Sequence, residues 1–172
     1  MITHTYHPII DHFHATFMEK KGYTRAGMRA RNMDEFSVGQ KINFIGAFLV
    51  CASAIKLQVK ECIHFTGLGG GLMAGTRIEL ESPDILLFGT ENDPIQIVVT
   101  ENLTLKSTDL KIQNVIFYLL DGAHFSLKDS TIAKLENVRV VQLTTYDIDQ
   151  TFAEKEVANW KDEKALIAFI NK

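Results

Sequence analysis

Leu103-Thr-Leu-Lys-Ser-Thr-Asp-Leu-Lys-Ile-Gln-Asn-Val115 and Phe125-Ser-Leu-Lys-Asp-Ser-Thr-Ile-Ala-Lys-Leu-Glu-Asn-Val138 are two copies of one pattern, the second with one inserted residue. Each is a short strand-like alternation, a corner containing serine, and a second alternation. Ile78-Glu-Leu-Glu-Ser-Pro-Asp-Ile-Leu-Leu-Phe-Gly89 has the same shape. A fainter copy runs through Val50-Cys-Ala-Ser-Ala-Ile-Lys-Leu-Gln-Val59. The corner serines are Ser53, Ser82, Ser107 and Ser130, and the apolar residues after them are Ile55, Ile85, Leu110 and Ile132. Those apolar residues lie 30, 25 and 22 positions apart. A unit this short cannot bury a core alone, so copies are expected to stack. Asn114 and Asn137 fall at matching positions, with Gly89 as the third member, as a polar ladder along a stack requires.

On these residues the stretch from about 48 to 143 resembles short parallel β-helix proteins, pectin-lyase-like in the broad sense. The resemblance concerns the fold and carries no catalytic motif. It implies a mainly β chain built as a short parallel β-solenoid of about four to five coils with helical ends. The uneven spacing departs from the regular repeats of polymer-forming bactofilins. The alternative is an antiparallel β-barrel or sandwich, because strand-turn-strand units look alike in both. Asp121-Gly122, between two strand runs, is the strongest hairpin signal in the chain.

Outward from this core, residues 1–41 read as a helical N-terminal cap. Pro8 suits a first helical turn, Ile10, Phe13 and Phe17 recur at helical spacing, and Gly22 suits a stop. Residues 42–146 form the β core, and 147–172 read as a helical C-terminal cap. There Asp149 is the candidate N-cap, Phe152, Trp160, Ile167 and Ile170 are the apolar positions, and Asn159 marks a break. Such caps would cover strand edges and core at the open ends of a solenoid. Residues 1–41 carry six Lys/Arg and four Asp/Glu, and 147–172 carry four and six. The whole is one domain of 172 residues.

Composition excludes several classes. Hydrophobic residues make up 46% and charged residues 23%, which rules out wholesale disorder and a disulfide miniprotein. The net charge of -3 leaves no global basic footprint for nucleic acid. The basic stretch Lys20, Lys21, Arg25, Arg29 and Arg31 is followed by Asp34 and Glu35. Ile42–Ile55, the most apolar run, is too short for a membrane helix. No secretory h-region opens the chain. Cys51 and Cys62 fit no zinc or redox spacing and read as small buried hydrophobes. A cytoplasmic protein without membrane or nucleic-acid partners is the expectation.

Candidate chemistry is sparse. His4, His7, Asp11 and His14 are candidate metal ligands, with His12 nearby, although their spacing fits no zinc motif well. Gly69, Gly71 and Ala74 satisfy G-x-G-x-x-A, but a strand follows where a nucleotide fold needs a helix. No cofactor is therefore expected. Glu79 and Glu81 would project on one face of a strand, with Thr104 and Ser126 beside Glu79, and Lys106 and Lys128 beside Glu81. That is no paired-carboxylate arrangement for glycoside hydrolysis. Neither a nucleophile elbow nor a cysteine-nucleophile context occurs. Glu79, Glu81, Tyr118 and His124 are the candidate binding-surface residues, Tyr118 as the outward aromatic. The expected function is non-catalytic binding of a protein partner, or self-association, through the solenoid surface. The alternatives are a carbohydrate-binding or carbohydrate-active β-helix, and a metal-dependent function at the N-terminal histidines.

Overall fold

Fifteen strands make up the chain described by the computed structural model, which covers residues 28–30, 33–36, 41–46, 48–51, 54–67, 70–120, 122–127, 129–145 and 152–160. In order they are β1 Met28–Ala30, β2 Met33–Phe36, β3 Lys41–Ile45, β4 Phe48–Cys51, β5 Ala54–Gln58, β6 Cys62–Thr66 and β7 Gly71–Ala74. Then come β8 Arg77–Glu81, β9 Asp84–Phe88, β10 Ile95–Val99, β11 Asn102–Lys106, β12 Asp109–Leu120, β13 His124–Ser126, β14 Ile132–Thr145 and β15 Phe152–Trp160. No strand from β1 to β13 pairs with the next in sequence. Each pairs in parallel with a strand one coil away, so the chain is a parallel β-solenoid of about four turns.

Three faces run along the solenoid. The first is the five-stranded sheet β2-β5-β8-β11-β13. The second joins β3, β6, β9, the first half of β12 and the first half of β14. The third joins β1, β4, β7, β10 and the second halves of β12 and β14. β12 and β14 turn from the second face to the third at Asn114 and Asn137, whose φ angles are 53° and 49°.

Period-2 alternation sends one residue in two inward. Ile55, Ile78, Leu103 and Phe125 form one inward row, and Ile63, Ile85, Leu110 and Ile132 another. The rows meet in one core with Phe65 and Phe117 at its centre. The Ile85-Leu110-Ile132 alignment expected from the repeat is therefore formed. Ile55, however, pairs with Ile78 rather than standing in the Ile85 row. The faint repeat copy runs from β4 on the third face to β5 on the first, and three similar strands per coil make that offset invisible in sequence.

Asp121-Gly122 does not close a hairpin. The turn at Gly122 passes β12 on to β13, which joins a different sheet. The helical ends are corrected where the structure describes them. β1 and β2 occupy the N-terminal zone, and β15 pairs antiparallel with β14, from Val138↔Trp160 to Thr145↔Phe152. A parallel solenoid ends on a strand with one unpaired edge, and β15 satisfies that edge as a helix would not. The remainder of both caps lies outside the described residues.

Corners hold the coils in register. Ile45, Thr66, Phe88, Gln113 and Glu136 align, so Gly46, Gly67, Gly89, Asn114 and Asn137 follow at one corner. Asn137 Nδ2 donates to Asn114 Oδ1 at 2.6 Å, and Asn114 Nδ2 donates to the Gly89 carbonyl at 3.1 Å. The expected ladder is present. Asn is the side-chain-bearing residue best suited to this left-handed backbone. At the corner between the first and second faces the serines stack. Ser130 Oγ donates to Leu105 O at 2.7 Å and accepts from Ser107 N–H at 3.0 Å. Ser53 lies outside the described residues. The coils differ in how much chain the Gly/Asn corner takes up: residue 114 alone joins its two faces, whereas residues 89–94 join β9 to β10.

Candidate functional site

The outward side chains of the second face are set by the same alternation that fills the core. β6 presents Cys62, His64 and Thr66, and β9 presents Asp84, Leu86 and Phe88. β12 presents Asp109, Lys111 and Gln113. His64, Leu86, Lys111 and Lys134 align across the strands. Asp84 stands diagonally between His64 and Lys111 and engages both. Its Oδ2 is 2.8 Å from His64 Nε2, and its Oδ1 is 3.2 Å from Lys111 Nζ. Lys111 Nζ also lies 3.3 Å from Asp109 Oδ2.

These groups are roughly two-thirds covered, with side-chain exposures of 27% for His64, 31% for Asp84 and 30% for Lys111. Burial pushes the Asp84 carboxyl up, but the hydrogen bond from His64 and the Lys111 ammonium outweigh it and hold it below its usual 3.8. Burial pulls Lys111 down, and its bonds to Asp84 and Asp109 outweigh that and hold it above 10.5. Next to this ionic network lies apolar surface. Leu86 and Phe88 are half-buried, and Ile45 is 72% exposed on the edge strand β3. Lys134 Nζ sits 5.4 Å from the centre of the Phe88 ring and 3.5 Å from Glu136 Oε2. The face thus offers an apolar pair, Leu86 and Phe88, bordered by charges that are already fixed in place, with Ile45 at the rim beyond Thr66.

The residues anticipated from sequence fall elsewhere. Glu79 and Glu81 project from the first face, as expected, with Thr104 and Ser126 aligned beside Glu79. Each carboxylate has its own cation: Arg77 Nε is 3.9 Å from Glu79, and Lys106 Nζ is 3.3 Å from Glu81. Gln58 Nε2 also donates to Glu81 at 3.2 Å. His124 is exposed on the same face, aligned with Asn102. Tyr118 is corrected: it points outward from the third face but is only 2% exposed, so no ligand can stack on it. Alternation predicts which way a side chain points, not what lies over it. Cys62 is a free, half-buried thiol on the outward face rather than a core residue.

Gly71 and Ala74 lie in β7, with no helix following, so Gly71 serves packing, and Gly69 lies outside the described residues. A Cβ on Gly71 would overlap the Gln96 carbonyl. His4, His7, Asp11 and His14 lie outside the described residues. Among the described residues no group of three His, Cys, Asp or Glu side chains converges to hold a metal ion. A groove of about 730 Å³ follows the serine corner, lined by Gln58, Lys60, Glu81, Lys106 and Asp129 among others.

Sequence reading missed the His64-Asp84-Lys111 network. Its members are 20 and 27 residues apart, and only the coil register brings them together. No protein-family model, curated protein or solved structure matches this chain. Among the described residues no helix is long and apolar enough to cross a membrane.

Proposed function

We propose that this chain is a non-catalytic binding module that docks a protein partner, or another copy of itself, on the outward second face. The observation that carries this reading is the apolar pair Leu86 and Phe88, with Ile45 exposed two strands away across Thr66, beside the His64-Asp84-Lys111-Asp109 network. An apolar centre with a polar border is how protein interfaces are built. The border here is internally paired, so its side chains are already ordered before a partner arrives.

The test is a pair of full-length variants, Leu86→Glu and Phe88→Glu, in affinity capture with mass spectrometry and in sedimentation velocity. The reading requires an identified partner, or a self-association, that both variants lose while the β circular dichroism is kept. Binding that survives both changes refutes it, as does substrate turnover without any partner.

A second reading, carbohydrate binding, is favoured by the groove along the serine corner, whose rim carries Gln58, Lys60, Glu81, Lys106 and Asp129. A glycan array without signal, or signal unaffected by Lys106→Ala, would remove it.

A further inference from the structure

The groove along the serine corner has a charge pattern of its own. It crosses four successive coils, which contribute Lys60, Pro83, Thr108 and Asp129 in turn. Its middle is electrically settled. Lys106 Nζ sits 3.3 Å from Glu81, and Gln58 Nε2 donates to the same carboxylate at 3.2 Å. Pro83 offers an exposed apolar ring there, and Thr108 Oγ1 already donates to the Pro83 carbonyl at 3.0 Å. The two ends differ from this middle. Lys60 and Asp129 are both exposed, and neither has an ion-pair partner among the described residues. Glu61 follows Lys60 in sequence but does not line the groove. One end therefore carries an unused cation and the other an unused anion. Three coil steps of about 4.8 Å separate them by roughly 14 Å.

We propose that this groove holds an extended peptide segment of a partner protein, with an acidic side chain at Lys60 and a basic one at Asp129, four residues apart. Charge and length are the two arguments. An extended chain advances about 3.4 Å per residue, so residues i and i+4 stand about 14 Å apart. Strand alternation also puts them on the same side. The residues between them meet Pro83 and the paired Glu81 and Lys106, which suits small or apolar side chains. A saccharide of the same length fits the ends less well. A neutral one uses neither charge, and one bearing uronates is drawn to Lys60 but repelled at Asp129. Each exposed ion pair contributes little alone. Held a fixed distance apart, the two set the register of the bound segment.

The experiment uses the full-length chain and an array of ten-residue peptides. The peptides are alike except for one acidic and one basic residue, set two, four, six or eight positions apart. Binding should be strongest at a separation of four. Lys60→Glu and Asp129→Lys lie on the exposed rim and leave the fold intact, which circular dichroism checks. Each should weaken that binding by about threefold to tenfold, and more so at low salt than at high. Lys60→Glu should also turn the preference to peptides with basic residues at both positions, an exchange that loss of folding cannot produce. No binding at any separation, or binding indifferent to both substitutions, overturns the proposal. Binding of a neutral or uronate oligosaccharide that Lys60→Glu abolishes overturns it in favour of a saccharide. Self-association lost in Lys60→Glu overturns it in favour of a second copy.

Discussion

Asn114 carries the sharpest prediction. It is 8% exposed, holds φ at 53°, donates to the Gly89 carbonyl and accepts from Asn137. Asn114→Gly removes both side-chain hydrogen bonds but keeps a residue at ease in that backbone. At about 1 kcal/mol for each bond the loss is roughly 2 kcal/mol. Asn114→Ala loses the same bonds and places a Cβ in left-handed backbone, adding about 1 kcal/mol. The usual order of these two substitutions in a strand, with glycine the more damaging, is therefore inverted here. Urea unfolding followed by circular dichroism should give midpoints in the order wild type, Asn114→Gly, Asn114→Ala, with similar slopes. An alanine variant at least as stable as the glycine variant would refute the backbone part of this reasoning. Either variant within about 0.5 kcal/mol of wild type would refute the ladder part.

Three further outcomes follow from the same structure. Gly71→Ala, with φ of 144° and a Cβ meeting the Gln96 backbone, should cost about 3 kcal/mol or more, read as a lower melting temperature or loss of soluble protein. Ser130→Ala should cost about 1–2 kcal/mol in urea unfolding, because it leaves Leu105 O and Ser107 N–H without the hydroxyl between them. The lowered Asp84 carboxyl contributes stability present above its ordinary 3.8 and lost as pH falls through its lower folded value. Lys111, raised above 10.5, contributes stability present below that value and lost as pH rises through its folded value. Asp84→Asn should flatten both limbs of the midpoint-against-pH curve, and an unchanged acid limb would contradict the assignment.

The parts of this fold legible in the sequence are those where neighbouring coils look alike. Asn114 and Asn137, Ser107 and Ser130, and the row Ile85-Leu110-Ile132 are read correctly because each pair of copies stacks directly. Gly89 is found because it closes a recognisable copy, whereas Gly46 and Gly67 of the same corner column follow strands that lie outside the copies legible in the sequence. The Ile55 row is misplaced because sequence similarity does not say which of three faces a strand occupies. β15 is misread for a local reason. Its register with β14 shifts between Val140 and Val141, so alternation breaks in mid-strand and Phe152–Trp160 shows no clean period. The candidate site is the least legible, because His64, Asp84 and Lys111 mean little until three coils are aligned.

The uneven corner between the second and third faces tells how this chain can change length. A single residue at 114 and the stretch 89–94 do the same job without disturbing the rows on either side. The longer version is pinned by Thr90, whose N–H and Oγ1 donate to the Asp93 carbonyl and whose Oγ1 accepts from the Asp93 N–H, at 3.1–3.4 Å. Extra residues are therefore absorbed as a bulge on the rim while strand pairing continues beneath. That rim is the natural place to graft an epitope or a tether, since the solenoid keeps count of its coils and not of its loops.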